Sequence, residues 1–395
     1  MPRPCALLTP EISDPQTPVL VAARRTPIGR VGGALAKLDV AALSSPVLRA
    51  LVDDLVSLGC NDIDIDEVVL GNCTGPGGNP ARVALLAAGL GVEVPGLTVD
   101  RQCGSGLEAI AVATHRVLAG ASCVLAGGVE SASTAPQRSA LQADGSRAAY
   151  DRARFAPDEL GDPDMGPAAE ALAAAAGITR ERQDAYALRS HQRALLAADQ
   201  GRFAAELVPV GGVVADERPR RGLTTDLLSR FKPAFAAGGT VTVGNSCGVN
   251  DGAAALAIVD EETRQRLGLP GLAVRAYASH GVDPRLPGLG PVPAVRSVLA
   301  AAGLFMRDVG AVEITEAFAA QVLACTDALG LDPMSDAVCA EGGAIALGHP
   351  WGASGALLVV RLFSRMVRQD GPRWGLATCA IGGGQGVAML VERVG

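Results

Sequence analysis

Cys103 and His349 are the residues of this chain whose type and setting best suit chemistry. Cys103 lies in QCGSG, residues 102–106, between a short apolar stretch and a long one. That pattern predicts strand, tight turn and helix, with the thiol at the helix head. Free N–H groups and the positive end of the dipole favour a thiolate there. The same N–H groups can hold the oxyanion of a thioester under attack. His349 is one of four histidines and stands in IALGHPWGASG, residues 345–355, again just before an apolar helix. A histidine framed by glycine and followed by proline is poor packing material and a good exposed base. His115 and His191 fall in mid-helix patterns and read as surface or packing residues; His280 is a loop residue. The remaining eight cysteines, among them Cys60, Cys73, Cys123 and Cys325, lie mostly in apolar contexts that suit structural thiols. Of 34 basic residues only Lys37 and Lys232 are lysines, which leaves Schiff-base chemistry two candidates.

These residues need elements to hold them. Val19 to Ala23 reads as a buried strand, Val40 to Leu58 as an amphipathic helix, Val68 to Gly71 as a strand and Val83 to Gly89 as a helix. Such alternation argues a largely parallel sheet with helices on its faces. The surroundings of Cys103 and His349 resemble each other. Gly104, Ser105 and Gly106 open one apolar helix, and Gly352, Ser354 and Gly355 open another. In both, a short apolar strand follows and ends in glycines, which predicts an internal duplication. The intervening residues 134–239 are rich in charge, Ala and Arg. Helical periodicity in Ala168–Ala176 and Arg180–Gln200, with a polar loop at Asp216–Arg221, predicts an inserted cap domain. The expected division is residues 17–133 with 240–271 as one half, 134–239 as the insertion and 272–395 as the other half. The first 16 or so residues, rich in proline, read as a loose arm.

Composition narrows the class. A chain of 395 residues exceeds one ordinary core. With 49% apolar and only 3% aromatic residues, the core is aliphatic and of α/β character. A net charge of −7, with both signs interspersed, argues against wholesale nucleic-acid binding. The N-terminus has no apolar run that would suit a signal peptide. The most apolar stretch, Leu107 to Val129, is broken by His115 and Arg116, so no membrane span is expected. Nine cysteines with no C-x-x-C pair and no zinc-like spacing predict free thiols, no metal and a reducing, cytoplasmic setting.

Several long stretches, in order from about Val19 to Glu392, resemble the thiolase family. They include RTPIGR, GNCTGPGGNPAR, RQCGSGLEAI, AGGVESAS, TRERQDAYALRSH, RFAAELVPV, GNSCGVNDGAAAL, EAFAAQ, GGAIALGHPWGASGA and IGGGQG. The resemblance implies a five-layered αβαβα fold, two similar halves with mixed sheets, and an inserted loop domain. It implies a homodimer or dimer of dimers acting on acyl-CoA, with no permanently bound cofactor. Cys103 is then the acyl acceptor and His349 its base, with the N–H of Gly382 in the oxyanion site. Arg220 approaches the adenine or phosphate end of CoA, while Met165, Phe235, Cys247 and Phe318 line the pantetheine tunnel.

The match departs from the family at three places. A second catalytic cysteine belongs at the position of Ala380, and Cys379 stands one residue early. In an extended segment that shift turns a side chain to the opposite face. Thr315 replaces the asparagine that holds an oxyanion-site water. Cys247 replaces a serine, and Leu227 and Pro287 also differ from the usual CoA-site types. Loading of Cys103 is therefore expected to be intact and the second half-reaction altered, as in a specialised Claisen condensation or acyl transfer. The alternatives are an ordinary acetyl-CoA C-acetyltransferase or 3-ketoacyl-CoA thiolase and a non-catalytic CoA-binding scaffold.

Overall fold

The computed structural model describes residues 6–60 and 64–395. Along the chain, strand β1 (Ala6–Leu8) and β2 (Pro18–Arg25) precede helix α1 (Val40–Ser57). Then follow β3 (Glu67–Gly71), α2 (Pro80–Ala87), β4 (Gly96–Val99), α3 (Ser105–Leu118) and β5 (Cys123–Ser131). Helices α4 (Met165–Ala176) and α5 (Arg180–Asp199) come before β6 (Asn250–Asp260) and β7 (Gly271–Gly281). The chain ends with α6 (Pro291–Ala302), β8 (Ala311–Ile314), α7 (Ala319–Leu329), α8 (Trp351–Phe363), β9 (Trp374–Ile381) and β10 (Gln385–Val394).

The strands form one mixed sheet in the order β8-β9-β10-β7-β2-β6-β5-β3-β4. Its two halves repeat a pattern. β3 and β5 are parallel, and β5–β6 and β6–β2 antiparallel; β8 and β9 are parallel, and β9–β10 and β10–β7 antiparallel. A short antiparallel contact, Leu20 with Leu272 and Val19 with Ala273, joins them. In this repeat α3 and α8 occupy equivalent places, so Cys103 and His349 head equivalent helices.

Side-chain alternation along the strands sorts the core into layers. Val124 and Ala126 of β5 pack with Leu107 and Ile110 of α3, while Cys123 and Leu125 pack with Leu43 and Leu51 of α1. On the other half, Met389 and Val391 face the α3–α8 layer, and Leu390 packs with Val295 of α6 and Leu323 of α7. The result is helix, sheet, helix, sheet, helix, as the resemblance implied. The central helices touch through the small residues of the repeated signature. A Cβ at Gly106 would fall 2.7 Å from the Ala356 nitrogen, and one at Gly355 would fall 2.3 Å from the Leu107 nitrogen.

The loose arm is not found. Ala6–Leu8 adds to the sheet antiparallel to β7, and the Thr9 hydroxyl donates to the Val274 carbonyl at 2.6 Å. Three residues of ladder outweigh a proline-rich composition once an edge is available. Residues 1–5 of that arm lie outside the described residues. The inserted stretch is tied down by charge: the buried Arg25 guanidinium pairs with Glu206 and Asp216, each at 2.7 Å. No described helix is long and apolar enough to cross a membrane.

Candidate active site

The turn before α3 is held tightly. Gln102 has φ of +47°, a left-handed conformation that non-glycine residues adopt only when their surroundings impose it. Its N–H donates to Asp100 Oδ1 at 2.7 Å. The Ser105 hydroxyl accepts from the Arg101 N–H at 2.8 Å and donates to the Gln102 carbonyl at 2.6 Å. This bracing presents Cys103, half-buried, to a cavity of about 260 Å³.

The expected thiolate is not supported. Burial pushes the Cys103 thiol well up, and the nearby Cys379 and Cys247 push it the same way. The helix head contributes only about 0.3–1 kcal/mol in the other direction. Cys103 therefore keeps its proton at rest and must lose it during attack.

His349 lies on the same cavity. It is not the exposed base that its glycine-rich setting suggested: only 2% of it is accessible. Close packing explains why glycine precedes it. A Cβ at Gly348, where φ is +120°, would fall 2.6 Å from the Asn250 side chain, which accepts the His349 N–H at 3.0 Å. Burial lowers the imidazole to about 4, so it is neutral at pH 7. Its tautomer follows from the hydrogen bonds. The Ser354 hydroxyl donates to the Pro350 carbonyl at 2.9 Å and lies 2.6 Å from His349 Nδ1. With its one proton so engaged, Ser354 accepts from Nδ1–H, which leaves Nε2 as a bare acceptor. Nε2 has no partner among the described residues. The head of α8 is anchored separately: the buried Glu130 carboxylate accepts the Gly352 N–H at 3.0 Å.

Other expected residues divide into those on the cavity and those away from it. Met165, Phe235, Cys247, Pro287, Phe318, Ala380 and Gly382 line it. Phe235 and Phe318 meet edge to face, centroids 5.9 Å apart. Cys379 does not line it. Along β9, Ala377 and Cys379 face the central helix layer and Leu376 faces the outer one. The Cys379 thiol is fully buried and donates to the Cys103 carbonyl at 3.3 Å and the Ala380 carbonyl at 3.1 Å. Thr315 is likewise absent from the lining. It sits on a separate space of about 30 Å³, with Gly348 and Ser354, and its Oγ1 has no partner among the described residues. Arg220 is exposed, and its N–H donates to His191 Nδ1 at 3.3 Å; Leu227 is also exposed. Neither lysine reaches the cavity wall, so an imine has no candidate there.

Sequence reading missed Trp351, Gln321 and Ser354. Trp351, one of two tryptophans, lines the cavity two residues after His349. Gln321 also lines it, and its Oε1 has no partner among the described residues. Ser354 was visible as part of the repeated signature, but nothing local marked it as the partner of His349.

A half-buried thiol and a neutral imidazole with a free Nε2 share one mostly apolar cavity at the heads of two pseudo-equivalent helices of a five-layered α/β fold, a pairing suited to acyl transfer. Residues 18–262 match the family model "Thiolase, N-terminal domain" and residues 268–393 "Thiolase, C-terminal domain", and the chain belongs to the thiolase family of acyltransferases. It is 43% identical to the acetyl-CoA acetyltransferase of Escherichia coli, over 95% of this chain and 99% of that one. It is 44% identical to that of Chromobacterium violaceum, over 95% and 99%. Among solved structures it resembles the Bacillus anthracis acetyl-CoA acetyltransferase, with a TM-score of 0.86 and 38% identity over 96% of this chain and 99% of that one. It also resembles human mitochondrial 3-ketoacyl-CoA thiolase in complex with CoA, with a TM-score of 0.87 and 34% identity over the same shares.

Proposed function

We propose that this acyltransferase takes an acyl group from a coenzyme A thioester onto Cys103 and passes it on in a specialised Claisen-type condensation or acyl transfer. In the first half-reaction the Cys103 Sγ–H bond breaks as His349 Nε2 accepts the proton. Sγ bonds to the carbonyl carbon, the carbon–sulfur bond to CoA breaks, and the departing sulfur takes the proton from Nε2. The N–H groups of Cys103 and Gly382 are the candidates for holding the oxyanion between these events, with Thr315 contributing at most through ordered water. Met165, Phe235 and Phe318 suit the pantetheine arm, Gln321 Oε1 suits an amide N–H on it, and Arg220 suits a phosphate at the solvent end. Coenzyme A is here a substrate, with no resident cofactor. Association into dimers or tetramers and a cytoplasmic setting belong to the same proposal.

One observation carries the specialised reading: Ala380 lines the cavity where the family resemblance calls for a thiol, while the Cys379 thiol is buried on the opposite face of β9. General acid–base catalysis is worth about 10²–10⁴-fold, so residue 380 cannot support ordinary thiolysis in this chain. The test begins with intact mass after mixing with acetyl-CoA and longer acyl-CoAs. An acyl adduct is expected in the wild type and not in Cys103→Ser; no adduct from any thioester would favour a scaffold. Thiolysis of acetoacetyl-CoA is then expected to rise by about tenfold or more in Ala380→Cys, a fraction of the full acid–base factor. Fast wild-type thiolysis that the substitution leaves unchanged would favour an ordinary thiolase.

A further inference from the structure

The cavity has a second thiol on its wall. Among the described residues, Cys103 and Cys247 are the cysteines that line it. Cys247 is half-buried, and its backbone is tethered through two hydrogen bonds. Its own N–H donates to the Ala317 carbonyl at 3.0 Å, and the Ser246 hydroxyl donates to the Thr242 carbonyl at 2.7 Å.

A cation stands beside it. The Arg218 guanidinium occupies the space that a side chain on residue 248 would fill: a Cβ there would fall 2.0 Å from its Nη1. No carboxylate pairs with Arg218 among the described residues. Its contacts are one long hydrogen bond to the Ile345 carbonyl, at 3.4 Å, and a buried Nε without a partner. A partly buried guanidinium left without an anion favours negative charge next to it. The neighbouring group able to carry that charge on the cavity is the Cys247 thiol. Burial pushes this thiol up to about 12, and Arg218 acts in the opposite sense. Two acceptors on the same cavity are also unmatched: His349 Nε2 and Gln321 Oε1, in side chains about 98% buried.

Resting on the reading of Cys103 as acyl acceptor, we propose that Cys247 is the acid–base thiol of the second half-reaction, in the role that residue 380 cannot fill. The protons balance through His349. With Cys103 acylated, the Cys247 proton passes to His349 Nε2. The Cys247 thiolate, beside Arg218, takes a proton from the α-carbon of a second acyl-CoA, and the C–H electron pair remains as an enolate on that thioester. The α-carbon bonds to the acyl carbon on Cys103, the bond from that carbon to Sγ breaks, and the Cys103 thiolate recovers its proton from His349. Cys247, His349 and Cys103 all end as they began.

The test is exchange of acetyl-CoA methyl hydrogens in D2O, read by mass spectrometry of the acetyl-CoA, with intact protein mass read in parallel. Wild type is expected to exchange and to carry the Cys103 acetyl adduct. Cys247→Ala is expected to lose exchange by about 10²-fold or more while keeping the adduct, which also reports that the protein is folded. Arg218→Gln is expected to slow exchange by about tenfold, as the loss of one neighbouring charge, and to keep the adduct. Exchange that survives in Cys247→Ala, that is lost instead in Cys379→Ala, or that is absent from a wild type bearing the adduct would overturn the assignment. Absence of the adduct in the wild type would overturn the reading of Cys103 itself.

Discussion

The heads of α3 and α8 occupy equivalent places in the two halves, and each has a serine close behind the chemical residue. At α3, Ser105 braces the left-handed Gln102 through two backbone bonds and meets the Cys73 thiol at 3.5 Å, and among the described residues the Cys103 thiol has no side-chain hydrogen-bond partner. At α8, Ser354 bonds to the side chain of His349 and fixes which nitrogen is bare. One serine shapes a turn and the other selects a tautomer. On the proposed function, one repeated strand–turn–helix pattern that presents a helix head to a shared cavity supplies a nucleophile in one half and a base in the other. The same strand–turn–helix scaffold leaves the chemistry to the residue placed at its tip.

If the two heads divide the work this way, the largest effect should come from protonating the base. His349 is lowered to about 4, so its neutral form persists well below the ordinary 6.5. The rate of Cys103 acylation, followed by quenched mixing and intact mass, should hold from pH 7 to 5 and collapse as pH falls through about 4. A midpoint near 6.5 would show that the imidazole is wetter than its packing implies. A smaller effect should follow from Ser354→Ala, which frees the tautomer. Loss of one hydrogen bond of about 1.5 kcal/mol predicts an acylation rate about tenfold lower. Rates equal to wild type would break the contrast between the two serines. The smallest effect belongs to Cys379→Ala. That thiol faces the central helices and not the cavity, so acylation and transfer should change less than about twofold, or about 0.4 kcal/mol. A large loss would mean that β9 turns its other face to the substrate.

Much of this site was legible from local pattern. Turn glycines, serine and apolar runs mark both helix heads, and the alternation of an extended strand separates Cys379 from Ala380 by local pattern alone. The repeated Gly and Ser signature predicted two similar halves, and those residues prove to be the contact between α3 and α8. Period and turn chemistry are properties of a few consecutive residues, which is why they survive translation into a fold.

The remainder depended on which distant segments meet. Burial of His349, and with it the drop of its pKa to about 4, involves Asn250, 99 residues away. The thiol state of Cys103 depends on desolvation by walls that come from six or more separate stretches of chain. Thr315, read as a neighbour of the oxyanion, lies on a separate small space with Ser354, and Arg218 stands beside Cys247 only because two loops of the fold converge. Proton affinities and partners are set by dielectric and by contacts across the fold. Those quantities exist only once the layers have packed.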